Sequence, residues 1–173
     1  GNITLGIQSG THSIGGAFNV SSGAILQLGQ NSFTNFNVSA SVAGAGTIVC
    51  YSTAAVNFLS SCIYNVTGTT TAQLGTMNFN AGMTLTNAGN ISPAGGTIVF
   101  PAGLTVNGYG SSLNITAGGT FSANCGKTFS FQKVFVLGYI NGSDSIIVTE
   151  SLSLSSGSLT GTGAITLNSG GVA

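Results

Sequence analysis

The sequence predicts an all-β fold: a single-domain parallel β-solenoid over residues 1–173, a right-handed β-helix of about seven rungs of 21–23 residues. Three observations point to it. Phe36, Phe58, Phe79, Phe100 and Phe121 recur with a period of roughly 21 residues, and Phe18 precedes them by a shorter step. Short β-branched runs recur between glycines, and helical periodicity is almost absent. Gly, Ser, Thr and Asn stand where charged residues normally would, so the polar surface is built from amides and hydroxyls.

The runs at 24–28, 47–49, 83–86, 97–100, 104–106 and 164–167 read as strands of three to six residues joined by Asn/Gly/Ser turns. Similar text recurs around the phenylalanines. Gly75-Thr-Met-Asn-Phe79, Gly96-Thr-Ile-Val-Phe100 and Gly119-Thr-Phe121 share a Gly-Thr lead, and Phe79-Asn-Ala-Gly82 and Phe100-Pro-Ala-Gly103 share an exit. A rung cannot bury its apolar side alone, whereas stacked rungs can. Equivalent residues then fall above one another at about 4.8 Å, and the five phenylalanines form one core ladder. Three strands and three turns fit in such a rung, giving a triangular or L-shaped section. The regular ladder spans 36–121, and residues 127–150, where the period lapses, form a broader, irregular rung.

Composition excludes several function classes. Only Lys127, Lys133, Asp144 and Glu150 carry a formal charge, whereas roughly a quarter of residues do in an ordinary domain. At 42% apolar residues the chain can still offset its folding entropy, so disorder is not expected. Two cations cannot neutralise a phosphate backbone, so nucleic acid is not an expected partner. No apolar run reaches the length of a membrane span. Residue 1 is Gly and no leader is visible, so the chain is expected to be processed or part of something longer.

The segments 10–23, 96–106 and 156–167 resemble the degenerate repeats of large secreted β-helix proteins of the adhesin and autotransporter-passenger type. The resemblance runs through nearly the whole chain. It implies a fold and a surface-scaffold setting, because such proteins share architecture rather than a site.

Catalysis is not expected. Glycoside hydrolysis uses two facing carboxylates, and only Asp144 and Glu150 are available. The Asp cluster of pectin-cleaving hydrolases is missing, as are the Arg and calcium-binding carboxylates of the lyases. His12 and Asp144 are separated by six rungs, on the order of 29 Å, which is no triad. One His, two carboxylates and no close Cys pair predict neither metal nor cofactor. Lys127 and Glu150, one rung apart in sequence, are expected to stack as an ion pair. Over 128–140, Phe129, Phe131, Phe135, Leu137 and Tyr139 share one face by strict alternation, either as thicker core or as a sugar-binding or docking surface.

Cys50 and Cys62 can close a loop between neighbouring rungs as a disulfide in an oxidising compartment, with free thiols the alternative. Cys125 is left over. Asn-x-Ser/Thr sequons occur at Asn2, Asn19, Asn37, Asn65, Asn90, Asn114 and Asn141, where the composition predicts about four by chance. Glycans there would explain solubility without charge.

The expected function is that of a structural subunit or segment of an extracellular, N-glycosylated fibre or surface appendage. It would self-associate end to end through uncapped rungs, because neither end carries a charged or helical cap. The alternative is the stalk or binding domain of a cell-surface adhesin that contacts glycans or other surface proteins. An ice-binding solenoid is a third reading, weakened because Thr69/Thr71 and Thr84/Thr86 fall at different offsets from their phenylalanines.

Overall fold

The computed structural model describes residues 1–5, 10–29, 34–39 and 41–168, and the side chains of Leu5, Thr34, Asn35, Phe36 and Asn37 lie outside what is described. Every strand pairing is parallel and joins one rung to the next, so the chain winds as a β-solenoid of about seven turns. Among the described residues there is no helix, hence none long and apolar enough to cross a membrane.

Each turn lays down three short strands, giving a three-sided section. In the turn opening at Thr47, residues 47–50 form the first face, 55–58 the second and Ile63–Val66 the third. The first two faces share a 15-stranded sheet because Thr47–Phe58 and Thr69–Phe79 run continuously round the corner between them. The third face is a separate five-stranded sheet as far as Thr105–Val106. Period-two alternation sends one set of side chains inward, where registered columns such as Leu26–Ile48–Thr70–Ile91 build the core.

Corners need backbone that a side chain would obstruct. Gly75 has φ +56°, and a Cβ there would collide with the Ser52 carbonyl of the rung before. Gly142, at φ +112°, meets the Ala123 carbonyl in the same way.

The phenylalanine ladder is shorter than the sequence spacing suggests. Phe58 pairs with Phe79, and Asn78 opposite Val99 brings Phe100 over Phe79. Phe36, however, pairs with Val56, and Phe121 with Ile98. Phe121 therefore belongs to the neighbouring inward column, two positions along, and the Phe36 backbone is registered with that same position. The rung from Phe36 to Val56 is shorter than the ladder step and that from Ile98 to Phe121 is longer, so a constant Phe spacing concealed unequal rungs. A slip of two positions keeps a side chain pointing inward, which is why Phe121 still packs on Phe100 at 5.4 Å between ring centroids and 82°. Phe58 and Phe79 stack at 5.0 Å and 26°, whereas Phe79 and Phe100 meet edge to face at 5.0 Å and 85°. Each pair adds about 0.5–1.5 kcal/mol beyond its buried area.

A further irregularity precedes residues 127–150. Thr105–Val106 ends its sheet, and residues 107–111 form no strand. The Tyr109 hydroxyl takes the place of the missing ladder: it accepts from the Ser130 amide at 2.8 Å and donates to the Thr128 carbonyl at 3.3 Å. Within residues 127–150 the strands keep parallel register apart from one shift between Phe131 and Lys133. Phe121, Ile140 and Leu159 pair in succession, which makes these rungs shorter than the ladder step rather than broader.

Candidate functional site

Two residues that could carry chemistry, Asp144 and Cys125, are tied to one another. Asp144 is 8% exposed, and its carboxylate accepts from the Cys125 amide at 2.7 Å, the Gly126 amide at 2.9 Å and the Cys125 thiol at 3.1 Å. Asn124 returns the contact, its Oδ1 accepting from the Ser143 amide at 3.0 Å. Together these latch two stacked turns, with Gly126 at φ +74° making the tight one. Burial, then the hydrogen bond to Asp144 and its negative charge, push the Cys125 thiol up to about 12. A thiol so held is a poor nucleophile.

Glu150 is exposed, while Asp144 is turned into the fold. The expected Lys127–Glu150 pair is not formed by the register. Thr128 pairs with Ser145 and Lys133 with Ser151, which sets Glu150 at the far end of this strand pair from Lys127. His12 lies on the second face beside Phe36 in the first rung, remote from Asp144. Among the described residues no three His, Cys, Asp or Glu side chains gather as a metal site would require.

Cys50, Cys62 and Cys125 are all free thiols, so the expected Cys50–Cys62 bridge is corrected. Cys50 sits inward on the first face between Leu28 and Ala72, and Cys62 is buried just before the third-face strand. They occupy different sides of the same rung. Burial pushes the Cys50 thiol up to about 11.

The aromatic strand divides. Its register shifts between Phe131 and Lys133, where the chain turns a corner at Gln132. The corner breaks strict alternation: Phe129 and Phe131 point inward on one side, Val134 and Val136 on the other, and Phe135 is turned out. Phe129 and Phe131 are fully buried and pack on Tyr109 at 4.9 and 5.5 Å. Phe135 and Tyr139 are 36% and 49% exposed, on the first and second faces. The four residues expected as one interface are thus two of core and two of surface.

Sequence reading missed a polar chain inside the core. Thr70 replaces an aliphatic residue in its inward column and donates to the Ala88 carbonyl at 2.6 Å. Its single proton is thereby used, so the Tyr64 hydroxyl must be the donor in the 2.8 Å bond between them. Burial holds the Tyr64 hydroxyl protonated well above its ordinary range. The only sequence signal was a lone Thr at a position that reads Ile in the rungs on either side.

The outward surface is different in kind. Asn2, Asn90 and Asn114 lie on the first face, Asn141 on the second, Asn19 and Asn65 on the third, and all six are exposed. The Asn37 backbone is on the second face. Hydroxyls stack between them, as in the in-register column Thr76–Thr97–Thr120. No family model, curated protein or solved structure matches the chain.

Proposed function

We propose that this chain is a structural segment of an extracellular fibre or surface appendage, extended by stacking rung upon rung. The observation that carries the reading is the parallel, in-register stack itself, in which each described rung is covered by the next. Ile3 begins the column that continues through Leu26 and Ile48, yet is 59% exposed. Leu159, last among the described residues in the column Phe121–Ile140–Leu159, is 50% exposed. Beside Ile3, a cavity of about 350 Å³ lined by Val20, Ala24 and Leu26 opens the core. A further rung covers these surfaces in register, whether it comes from the same polypeptide or another copy. Repetition of that contact lengthens the rod.

The test is sedimentation velocity with electron microscopy across a concentration series. The expected result is rods that lengthen with concentration, and their loss in Ile3→Lys, whose site is exposed enough to leave the fold intact. Monodisperse single copies at every concentration would overturn the reading. A second reading, an adhesin stalk or binding domain of the kind the repeats resemble, draws support from Phe135 and Tyr139 standing exposed on either side of the 137–138 corner. Glycan-array binding lost in Phe135→Ser/Tyr139→Ser, with unchanged rods, would favour it.

A further inference from the structure

The sequon count alone proves little, because strand alternation manufactures sequons. In Asn-x-Ser/Thr the outer two residues point outward and the middle one inward. Here the middle residues Val20, Val38, Val66, Ile91 and Ile115 are all buried core. An Asn-, Ser- and Thr-rich solenoid therefore writes the motif as a by-product of its polar–apolar–polar pattern.

Two independent observations go beyond that by-product. The first is exposure on the strands. Asn2, Asn19, Asn65, Asn90, Asn114 and Asn141 are strand residues and all are exposed, whereas the strand residues Asn57, Asn78 and Asn87, which lie in no sequon, are half-buried. Asn107, Asn124 and Asn168 are exposed without a sequon, but they lie off the strands. The second concerns the atom that would carry sugar. Asn78 Nδ2 is spent on Asn57 Oδ1 at 2.9 Å, and Asn124 Nδ2 on Ser122 Oγ at 3.4 Å, and both residues lie outside sequons. Asn90 and Asn141 engage neighbours only through Oδ1, which accepts from Ser112 Oγ at 2.9 Å, Ser111 Oγ at 3.5 Å and the Gly142 amide at 2.7 Å. Among the described residues, Asn2, Asn19, Asn65 and Asn114 have no side-chain hydrogen-bond partner. At all six exposed asparagines Nδ2 makes no hydrogen bond among the described residues, and strand alternation puts the Ser/Thr at the third position on the same side as the Asn.

We infer that Asn2, Asn19, Asn65, Asn90, Asn114 and Asn141 form an N-glycan acceptor array on the solenoid wall. In the modification, Asn Nδ2 bonds to the anomeric carbon of an oligosaccharide carried on a polyisoprenyl diphosphate. The bond from that carbon to the diphosphate oxygen breaks, the lipid diphosphate leaves with the electron pair, and Nδ2 gives up one proton. No redox partner is needed. The array supplies what four charges cannot: hydrated bulk on three sheet faces that would otherwise meet other copies side by side. It leaves the second face bare from Asn57 to Ser122, where no described sequon falls.

The inference shares with the proposed function the premise that the chain passes through a secretory route. The test is intact-mass analysis of the protein from its native source, before and after peptide-N-glycosidase in heavy-oxygen water. The expected result is a mass above the bare 17.0 kDa chain that collapses on treatment. At least three of the six asparagines should convert to labelled Asp, and Asn114→Gln should lower the mass by one glycan increment. A secreted protein of bare mass overturns the inference while leaving the rod intact, and so does added mass that survives the enzyme, which would place sugar on hydroxyls. Glycans on a chain that never forms rods overturn the proposed function alone.

Discussion

Replacing Thr70 by Val tests whether the Tyr64–Thr70–Ala88 chain is a cooperative unit. The swap preserves shape and β-branching but removes a hydroxyl that both donates and accepts. It leaves two orphans in fully buried surroundings, the Ala88 carbonyl and the Tyr64 hydroxyl. Each costs about 1–3 kcal/mol, so Thr70→Val should destabilise by about 2–6 kcal/mol. Tyr64→Phe alone removes only the terminal donor, leaves Thr70 bonded to Ala88, and should cost about 1 kcal/mol. In the Thr70→Val background the same Tyr64→Phe change deletes an orphan and should restore about 1–3 kcal/mol. The sign of one substitution thus reverses with its background. Urea unfolding followed by circular dichroism reads this directly. With an m-value of about 2 kcal/mol/M, Thr70→Val lowers the midpoint by about 1–3 M, and adding Tyr64→Phe raises it by about 0.5–1.5 M. If Tyr64→Phe lowers the midpoint equally in both backgrounds, the two hydroxyls are not coupled.

Other outcomes follow from the same geometry. Tyr109→Phe keeps its ring on Phe129 and Phe131 but loses both backbone bonds, so it should destabilise by about 1–2 kcal/mol and speed hydrogen exchange at the Ser130 amide. Asp144→Asn withdraws the charged acceptor from two amides and a thiol, at about 1.5–3 kcal/mol. Native alkylation of Cys125 should accelerate in that variant while Cys50 and Cys62 stay protected, and an unchanged rate would show that Asp144 does not restrain the thiol. Stability should also fall in alkali. The Cys50 ionisation rises from 9.0 unfolded to about 11 folded, so its contribution is whole below pH 9 and drains as pH climbs through that window, at up to about 1.4 kcal/mol per unit. Thermal melts at pH 7 and pH 10.5 should show the drop, and Cys50→Ala should lessen it.

The fold was legible because its controlling rule is parity. Core side chains need only point inward, and the short apolar runs at 24–28, 97–100 and 164–167 announce that wherever they fall. The phenylalanine period was a weaker guide than it looked. Phe121 keeps the common spacing only by slipping one inward position, and the Phe36 backbone is registered with Val56 rather than Phe58, so the rung after Phe36 shortens and the rung before Phe121 lengthens. Corners were the illegible part. At Gln132 a single-position turn resets which residues face inward, and nothing in Phe-Ser-Phe-Gln-Lys-Val-Phe-Val marks it except Lys133, an improbable core residue. Extending one alternation through 129–139 therefore merged buried Phe131 with exposed Phe135.

The same parity argument explains why the wall of the solenoid was harder to interpret than its core. An inward position is constrained by volume and apolarity, so its residue type reports its place. An outward position needs only to be polar, so an Asn there is compatible with ladder-forming, turn-capping and glycan-bearing roles alike. Asn78 bonds Asn57, Asn87 Oδ1 accepts from the Gly89 amide at 2.8 Å, and Asn65 engages no described partner, yet all three sit in similar text. What separates them is the neighbour one rung away, roughly 21 residues distant in sequence. Asn57 meets Asn78, and their amides pair, whereas Asn65 lies between Ala43, which has no polar side chain, and Asn87, whose Oδ1 already accepts from the Gly89 amide. Free amides thus arise where the registered neighbours are short, apolar or already engaged. Changing Ala43 to Asn should draw Asn65 into a ladder bond and lower glycan occupancy there without disturbing Asn90 or Asn114, an outcome that site-resolved glycopeptide mapping would register and that unchanged occupancy at Asn65 would refute.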